Sequence, residues 1–421
     1  MPTRRIVITG LGIVAPNGIG KDAYWNAIVN GRSGIKRIAS FDPSPFSTQI
    51  AGEVKNFSPC DYVDSRIVKR SGRFTPFGIA ASRMAVADAG IDFTSENRNR
   101  CGVCFGTTLG TDNDVYESQH ERFLKFGPKA VSRLTAPELG PHVTTGYICS
   151  EFKITGPNST ICSGCSTGLD VVNWGYNTVK RGEVDVAVVG SADTPIFPFI
   201  MSSLCSLGIL SQRNDEPEKA SRPYDRNRDG MVLSEGSAAI VVEELEHALQ
   251  RGAGIYAEIA SYASSSDAQD VVKVDSEGHG LFFALNQALV DCKKRKDEID
   301  YICAHGNSIP DYDIAETNAF KGFFGEHAYK IPVSSIKSMT GQAFAAGGGF
   351  QVVAACMSLK HGIIPPTINL DAPDPLCDLD YVPHHARRFP IETTLINSHS
   401  VGGSHAVLIL KRYSSEDRIC L

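Results

Sequence analysis

The stretch Ser159-Thr160-Ile161-Cys162-Ser163-Gly164-Cys165-Ser166-Thr167-Gly168 runs from β-prone residues through a turn of small residues into a segment with helical spacing, 168–181. A strand that ends in an elbow and feeds a helix is the unit from which layered α/β folds are built. The elbow also sets a thiol at a helix start, where unpaired N–H groups and the positive end of the dipole favour an anion. Thiolate is the nucleophilic form of cysteine, so this position suits Cys165 to attack a thioester. Ser163, Gly164, Ser166 and Gly168 permit the tight turn and a close substrate approach. The competing reading is a buried structural cysteine in front of a helix.

Outward from the elbow, β-branched apolar runs mark strands at 5–11, 102–106, 185–190, 238–243, 257–262, 301–304, 332–335, 393–397 and 406–411. Helical spacing covers 77–90, 283–292 and 348–361 as well as 168–181. The alternation predicts an α/β fold. Its order repeats. Each half opens with a strand, carries a reactive residue after an inner strand and closes with a strand. The expected halves are 1–252, with the nucleophilic cysteine, and 253–421. The polar segment 211–229, rich in Arg, Asp and Pro, reads as a surface loop.

The 421 residues exceed one small core, and 42% apolar with 21% charged residues is ordinary for a globular protein. A net charge of −6, with both signs dispersed, argues against nucleic acid as the main partner. No stretch reaches the ~18 apolar residues of a membrane span. The apolar run after Arg4-Arg5 is short and broken by glycines, so it reads as a core strand and the protein as cytoplasmic. Twelve cysteines are too thinly spread for a disulfide framework. The pairs Cys101/Cys104 and Cys162/Cys165 have zinc or redox spacing. Their apolar setting, without a knuckle turn, favours small core residues instead. Neither a metal nor a cofactor is expected.

Two later segments carry chemistry. In Cys303-Ala304-His305-Gly306-Asn307-Ser308-Ile309-Pro310, followed by Asp313 and Glu316, a histidine closes an apolar strand just before glycine. It is either aimed into a cleft or a satisfied core residue. In Val333-Ser334-Ser335-Ile336-Lys337-Ser338-Met339-Thr340-Gly341-Gln342, Lys337 is either a solvated face residue or a fixed charge held by Glu316 beside the catalytic groups.

Together the three segments resemble the β-ketoacyl synthases of the elongating type II class and the ketosynthases of aromatic polyketide pathways. Further matching motifs are Gly31-Arg32-Ser33-Gly34-Ile35, Arg222-Pro223-Tyr224-Asp225, Arg228-Asp229-Gly230, Asn397-Ser398 and Gly402-Gly403. The resemblance implies a duplicated thiolase-like five-layer α-β-α-β-α sandwich and a dimer, homodimeric or heterodimeric. It implies acyl carrier protein as partner, presenting acyl and malonyl groups. Cys165 would take the acyl group, with backbone N–H groups of Cys165 and Val401 as oxyanion hole. His305 would assist malonyl decarboxylation or polarise the malonyl carbonyl, and Lys337, paired with Glu316, would orient the histidine region and set the local field. Leu109 matches an acyl-pocket position. Arg66, Lys69, Arg70 and Arg73 match a carrier-docking patch, or else form a solvated helix face.

The chain departs from the family pattern. Gln342 stands where the family has its second histidine, making a Cys-His-Gln set; its amide can still donate a hydrogen bond. Asn307, Ile309 and Val272 replace threonines of the pantetheine region. Val401 replaces a gating phenylalanine, and Ser400 a glycine. His399 is an added histidine that either partly replaces the missing imidazole or is non-catalytic. The leading reading is decarboxylative condensation. The alternatives are a non-elongating acyltransferase or priming decarboxylase, and a partner subunit of a ketosynthase heterodimer.

Overall fold

A computed structural model describes residues 4–109 and 113–414. Among the described residues the main sheet has eleven strands, ten of them in one hydrogen-bonded path. Those ten are Ile6–Ala15 (β1), Cys101–Gly106 (β2), Asn158–Ser159 (β3), Val186–Asp193 (β4), Gly236–Glu244 (β5), Ala257–Ser266 (β6), Tyr301–Cys303 (β7), Val333–Ser334 (β8), Thr393–His399 (β9) and Ser404–Lys411 (β10). They are hydrogen-bonded in the order β3-β2-β4-β5-β1-β6-β10-β9-β7-β8, with the short strand Gly18–Ile19 hanging off β1. From the β1/β6 seam outward the two sets repeat one another. β2 runs parallel to β3 and β4, as β7 does to β8 and β9. The remaining neighbours are antiparallel. The seam itself is two residue pairs long, Val7–Glu258 and Ile8–Ala257.

Helices fill the layers. Phe74–Ala89 (α1) and Val143–Phe152 (α2) cover the first set. Thr167–Lys180 (α3) and Ala345–His361 (α7) lie between the sets and contact strands of both. His279–Cys292 (α5) and Pro310–Phe324 (α6) cover the second set. Pro198–Leu207 (α4) stands beside the site. This is the thiolase-like α/β fold. Every residue of α7 from Ala345 to Leu359 is buried, as a helix packed on both sides requires. Its glycine-rich start lets it meet α3 closely: a Cβ on Gly168 would lie 2.4 Å from the Ala345 carbonyl oxygen.

Two expectations need correction, and one helix was not foreseen. Cys165 follows β3, an outermost strand of two residues bonded only to β2, rather than an inner strand. The segment 211–229 is not simply a surface loop. Arg222, Tyr224, Asp225 and Arg228 are buried, and Arg228 pairs with Asp313 at 3.3 Å and Asp374 at 2.8 Å. Charges that satisfy one another can be interior, which a composition-based reading misses. The helix α6 was not predicted, because buried Asp313 and Glu316 interrupt its apolar periodicity. The two C-x-x-C pairs do not converge: Cys101 Sγ donates to the Asn97 carbonyl and Cys162 Sγ to that of Thr108. No described helix is long and apolar enough to cross a membrane.

Candidate active site

Cys165 lies in the 3-10 turn Gly164–Ser166 that leads into α3 and is 6% exposed. Asp193, at the end of β4, braces this corner. It accepts hydrogen bonds from the Thr107 hydroxyl and from the N–H groups of Thr108, Leu109 and Ala345. From the opposite half, the Ser398 hydroxyl donates to the Cys165 carbonyl at 2.9 Å. The Cys165 N–H donates to Ser400 Oγ at 2.8 Å.

Glu316 fixes the histidine loop. Its carboxylate accepts from the N–H groups of His305 (2.8 Å) and Gly306 (3.0 Å), the Tyr224 hydroxyl (2.6 Å) and Asn397 Nδ2 (2.6 Å). Those four bonds use up its oxygens, so the expected Lys337–Glu316 pair is not a direct contact. Lys337 Nζ instead donates to Gln351 Oε1 at 3.2 Å. Gln351 is anchored by donating to the carbonyls of Cys303, Ala304 and Asn397. Sequence reading missed Gln351; a polar residue inside an otherwise apolar helix was its only signal.

The His399 N–H donates to His305 Nδ1 at 3.2 Å, so the neutral ring carries its hydrogen on Nε2. Burial and the Lys337 charge hold His305 well below its usual range, which keeps it neutral. Nε2 lies 3.3 Å from Asn307 Nδ2. Two donors face each other there, so the imidazole N–H is available to a substrate oxygen. Asn307 Oδ1 accepts from the Ile309 N–H. The His399 ring stacks on Tyr312, and burial beside His405 lowers its basicity, which does not favour it as a substitute proton acceptor.

Burial pushes the Cys165 thiol up to about 11. The Lys337 charge, the Gln342 amide and Ser400 pull the other way, and Asp193 adds to the rise. Burial brings Lys337 down to about 8. Contrary to expectation, the resting thiol is protonated at neutral pH, because burial outweighs its favourable partners. Tyr312 and His399 are further titratable groups on the same cavity. Alkylation of Cys165 by iodoacetamide is therefore expected to climb about tenfold per pH unit from 7 to 8. Above pH 8 it should climb less steeply as Lys337 loses its proton, without levelling off near 9 as a free thiol would. Peptide mass spectrometry across the pH series checks this, and a plateau at pH 9 contradicts it.

A cavity of about 200 Å3 opens on Cys165, lined also by Leu204, Met231, Ile309, Gln342 and Phe344. Phe344 holds a left-handed φ of 45° just before α7. Leu109 packs in the apolar cluster that contains Cys165. Val401 sits at the cavity mouth, 42% exposed. Val272 is exposed outside the cavity, where its carbonyl accepts from the Tyr312 hydroxyl, so its side chain is not brought to the site. The basic patch is not one free face. Arg70 pairs with Glu138 at 2.9 Å, Arg73 with Glu235 at 2.8 Å and Arg66 with Asp64 at 2.8 Å.

Ser400 changes the nucleophile's surroundings most. Its hydroxyl occupies the N–H that an acyl oxyanion needs, and a Cβ on Gly164 would lie 1.9 Å from it. Ser400→Gly is expected to raise the acylation rate about tenfold, the worth of one freed hydrogen bond. Stopped-flow acylation from an acyl thioester measures it, and an unchanged or slower rate contradicts it.

A buried thiol opening on an apolar cavity, a neutral imidazole beside the cavity-lining Asn307 and a buried lysine whose charge reaches both, in a duplicated α/β fold, define a thioester-condensing class of enzyme. Residues 3–248 match the family model described as Beta-ketoacyl synthase, N-terminal domain, and residues 256–371 match the C-terminal domain model. The 3-oxoacyl-[acyl-carrier-protein] synthase 2 of Coxiella burnetii is 39% identical over 98% of this chain and 99% of its own length. A putative polyketide beta-ketoacyl synthase 1 of Streptomyces halstedii is 38% identical over 97% and 98%. Among solved structures, a type II polyketide ketosynthase in complex with its acyl-carrier protein and bound to the hexaketide superposes with a TM-score of 0.91. It is 32% identical over 98% of this chain and 100% of that one. The ishigamide ketosynthase/chain length factor gives 0.91 at 31% identity, over 98% and 100%. The chain belongs to the β-ketoacyl synthase family.

Proposed function

We propose that this β-ketoacyl synthase loads its acyl group on Cys165 and completes condensation with a Cys-His-Gln set. The enzyme is an acyltransferase of the 3-oxoacyl-carrier-protein synthase kind, acting in fatty acid or polyketide biosynthesis. The observation that carries the assignment of residues is the convergence of Cys165, Gln342 and Asn307 on one apolar cavity, with His305 Nε2 beside Asn307.

In the first step Cys165 sulfur attacks the acyl thioester carbonyl, a tetrahedral intermediate collapses, and the carrier thiol leaves with the thiol proton. Ser400 gives up the Cys165 N–H to the oxyanion, with the Val401 N–H as second donor. In the second step the malonyl C–CO2 bond breaks and leaves an enolate. The His305 Nε2–H and the Gln342 amide donate to its oxygen. The enolate carbon attacks the acyl-cysteine, a C–C bond forms, and the Cys165 thiolate departs. Lys337, held by Gln351, stabilises that thiolate.

The carrier's acidic surface would meet exposed Lys69 and Arg66 on the first half of the chain. The halves would divide at 252/253. The protein would work in the cytoplasm as a homodimer or beside a second ketosynthase-like chain, as the ketosynthase/chain length factor neighbour suggests. Incubation with an acyl-carrier thioester should add the acyl mass to the Cys165 peptide, and malonyl-carrier thioester should then release a product two carbons longer. Absence of the adduct overturns the nucleophile. An adduct without elongation overturns the role given to Gln342.

A further inference from the structure

Asp267, His399 and His405 come together behind the catalytic histidine. Asp267 follows β6, and His399 and His405 face each other across the β9/β10 pair. Their rings lie 4.2 Å apart. The three side chains are 1%, 4% and 2% exposed. Asp267 Oδ1 lies 2.7 Å from His405 Nε2, and Asp267 Oδ2 lies 4.0 Å from His399 Nε2. One ligand atom from each of the three falls within 4.8 Å of the others.

Hydrogen bonding alone leaves this cluster unsatisfied. The Asp267–His405 contact accounts for one carboxylate oxygen and one imidazole nitrogen, and the Asp275 N–H donates to the other oxygen at 3.3 Å. His399 Nε2 and His405 Nδ1 are buried with no partner. Buried polar atoms are nearly always paired, so the orphaned His399 Nε2 beside the carboxylate needs an explanation. His399 Nε2 is too far from Asp267 for a hydrogen bond. Ligands on a tetrahedral ion at ~2.0–2.2 Å stand roughly 3.3–3.6 Å apart, so an ion would draw His399 Nε2 and Asp267 Oδ2 about half an ångström closer together. Gly280 lets the Asp267–His405 pair pack against α5: a Cβ there would lie 2.3 Å from Asp267 Oδ1 and 2.8 Å from His405 Nε2.

We propose that Asp267, His399 and His405 bind one divalent transition ion of the zinc class, through two imidazole nitrogens and one carboxylate oxygen. Two imidazoles with a single carboxylate suit Zn2+ or Co2+; Mg2+ and Ca2+ require more oxygen ligands. On binding, the His405 hydrogen moves from Nε2 to Nδ1, which frees the Nε2 lone pair, so the ring stays neutral. The ion ties the end of β9 and the start of β10 to the loop after β6. It thereby clamps the turn that carries Ser400 and Val401 at the cavity mouth, and the His399 N–H that holds His305 Nδ1. The ion is a positioning element and takes part in no bond-making step.

The test is Co2+ titration of chelator-treated full-length protein, followed by visible absorption, with Zn2+ competition and thermal melts. One equivalent should bind with d–d bands but without the intense thiolate charge-transfer band that exposed Cys60 or Cys162 would give. Zn2+ should displace it and raise the melting temperature. His399→Leu and Asp267→Asn should each lose the bands and the melting shift. Absence of stoichiometric Co2+ binding in the wild type overturns the proposal, as does a thiolate band or undiminished binding in folded His399→Leu. If neither variant folds, the wild-type spectrum and melting shift decide alone.

Discussion

Cys165→Ala is expected to lower condensation by about 10^4-fold or more, the loss seen when a nucleophile that forms the covalent intermediate is removed. The fold should tolerate it. Cys165 makes its structural bonds through its backbone N–H and carbonyl, to Ser400 and Ser398, and alanine keeps both. Removal of one buried sulfur costs about 1 kcal/mol. Two readouts should separate. Acyl adduct and elongated product vanish, while CO2 release from malonyl-carrier thioester persists, because His305, Gln342 and Lys337 remain. Product formation within tenfold of wild type would refute the assignment of Cys165 as nucleophile.

Glu316→Ala carries the second large effect, through the fold as well as the site. Four donors converge on this buried carboxylate of α6, two from the histidine loop, one from β9 and one from the segment around Tyr224. Alanine leaves all four unsatisfied and leaves Lys337 with less compensating negative charge nearby. Loss of a buried charged hub of this kind costs about 3–5 kcal/mol. It also releases the His305 backbone from its fixed position, so condensation should fall further than stability explains. Glu316→Gln keeps the shape and one acceptor oxygen but turns a donor toward donors, and should fall between. Chemical denaturation with parallel activity measurements tests both. A loss below 1 kcal/mol for Glu316→Ala would show that the hub does not hold the loop.

Strands β1, β2 and β4 to β10 were legible because β-branched residues cluster where both sheet faces are covered. Helices α1, α3, α5 and α7 were legible from alanine and apolar spacing. The helix α6 was not, since its buried face carries Asp313 and Glu316, whose partners lie on other elements. The same logic separates the basic residues. Arg66, Lys69, Arg70 and Arg73 look alike in sequence, yet Arg70 and Arg73 are drawn to Glu138 and Glu235, far along the chain.

Sequence alone determined the alternating α/β plan, the elbow that places Cys165, and the identity of Cys165, His305, Lys337 and Gln342 as the residues to watch, because each sits in a local motif whose neighbours shape it. Only the tertiary structure decided what those residues touch. Lys337 meets Gln351 rather than Glu316, Ser400 covers the Cys165 N–H, and Asp267 joins His399 and His405. These pairings come from strand register and loop closure between distant segments, and a short polar side chain gives no sign in sequence of which distant partner the fold will bring to it.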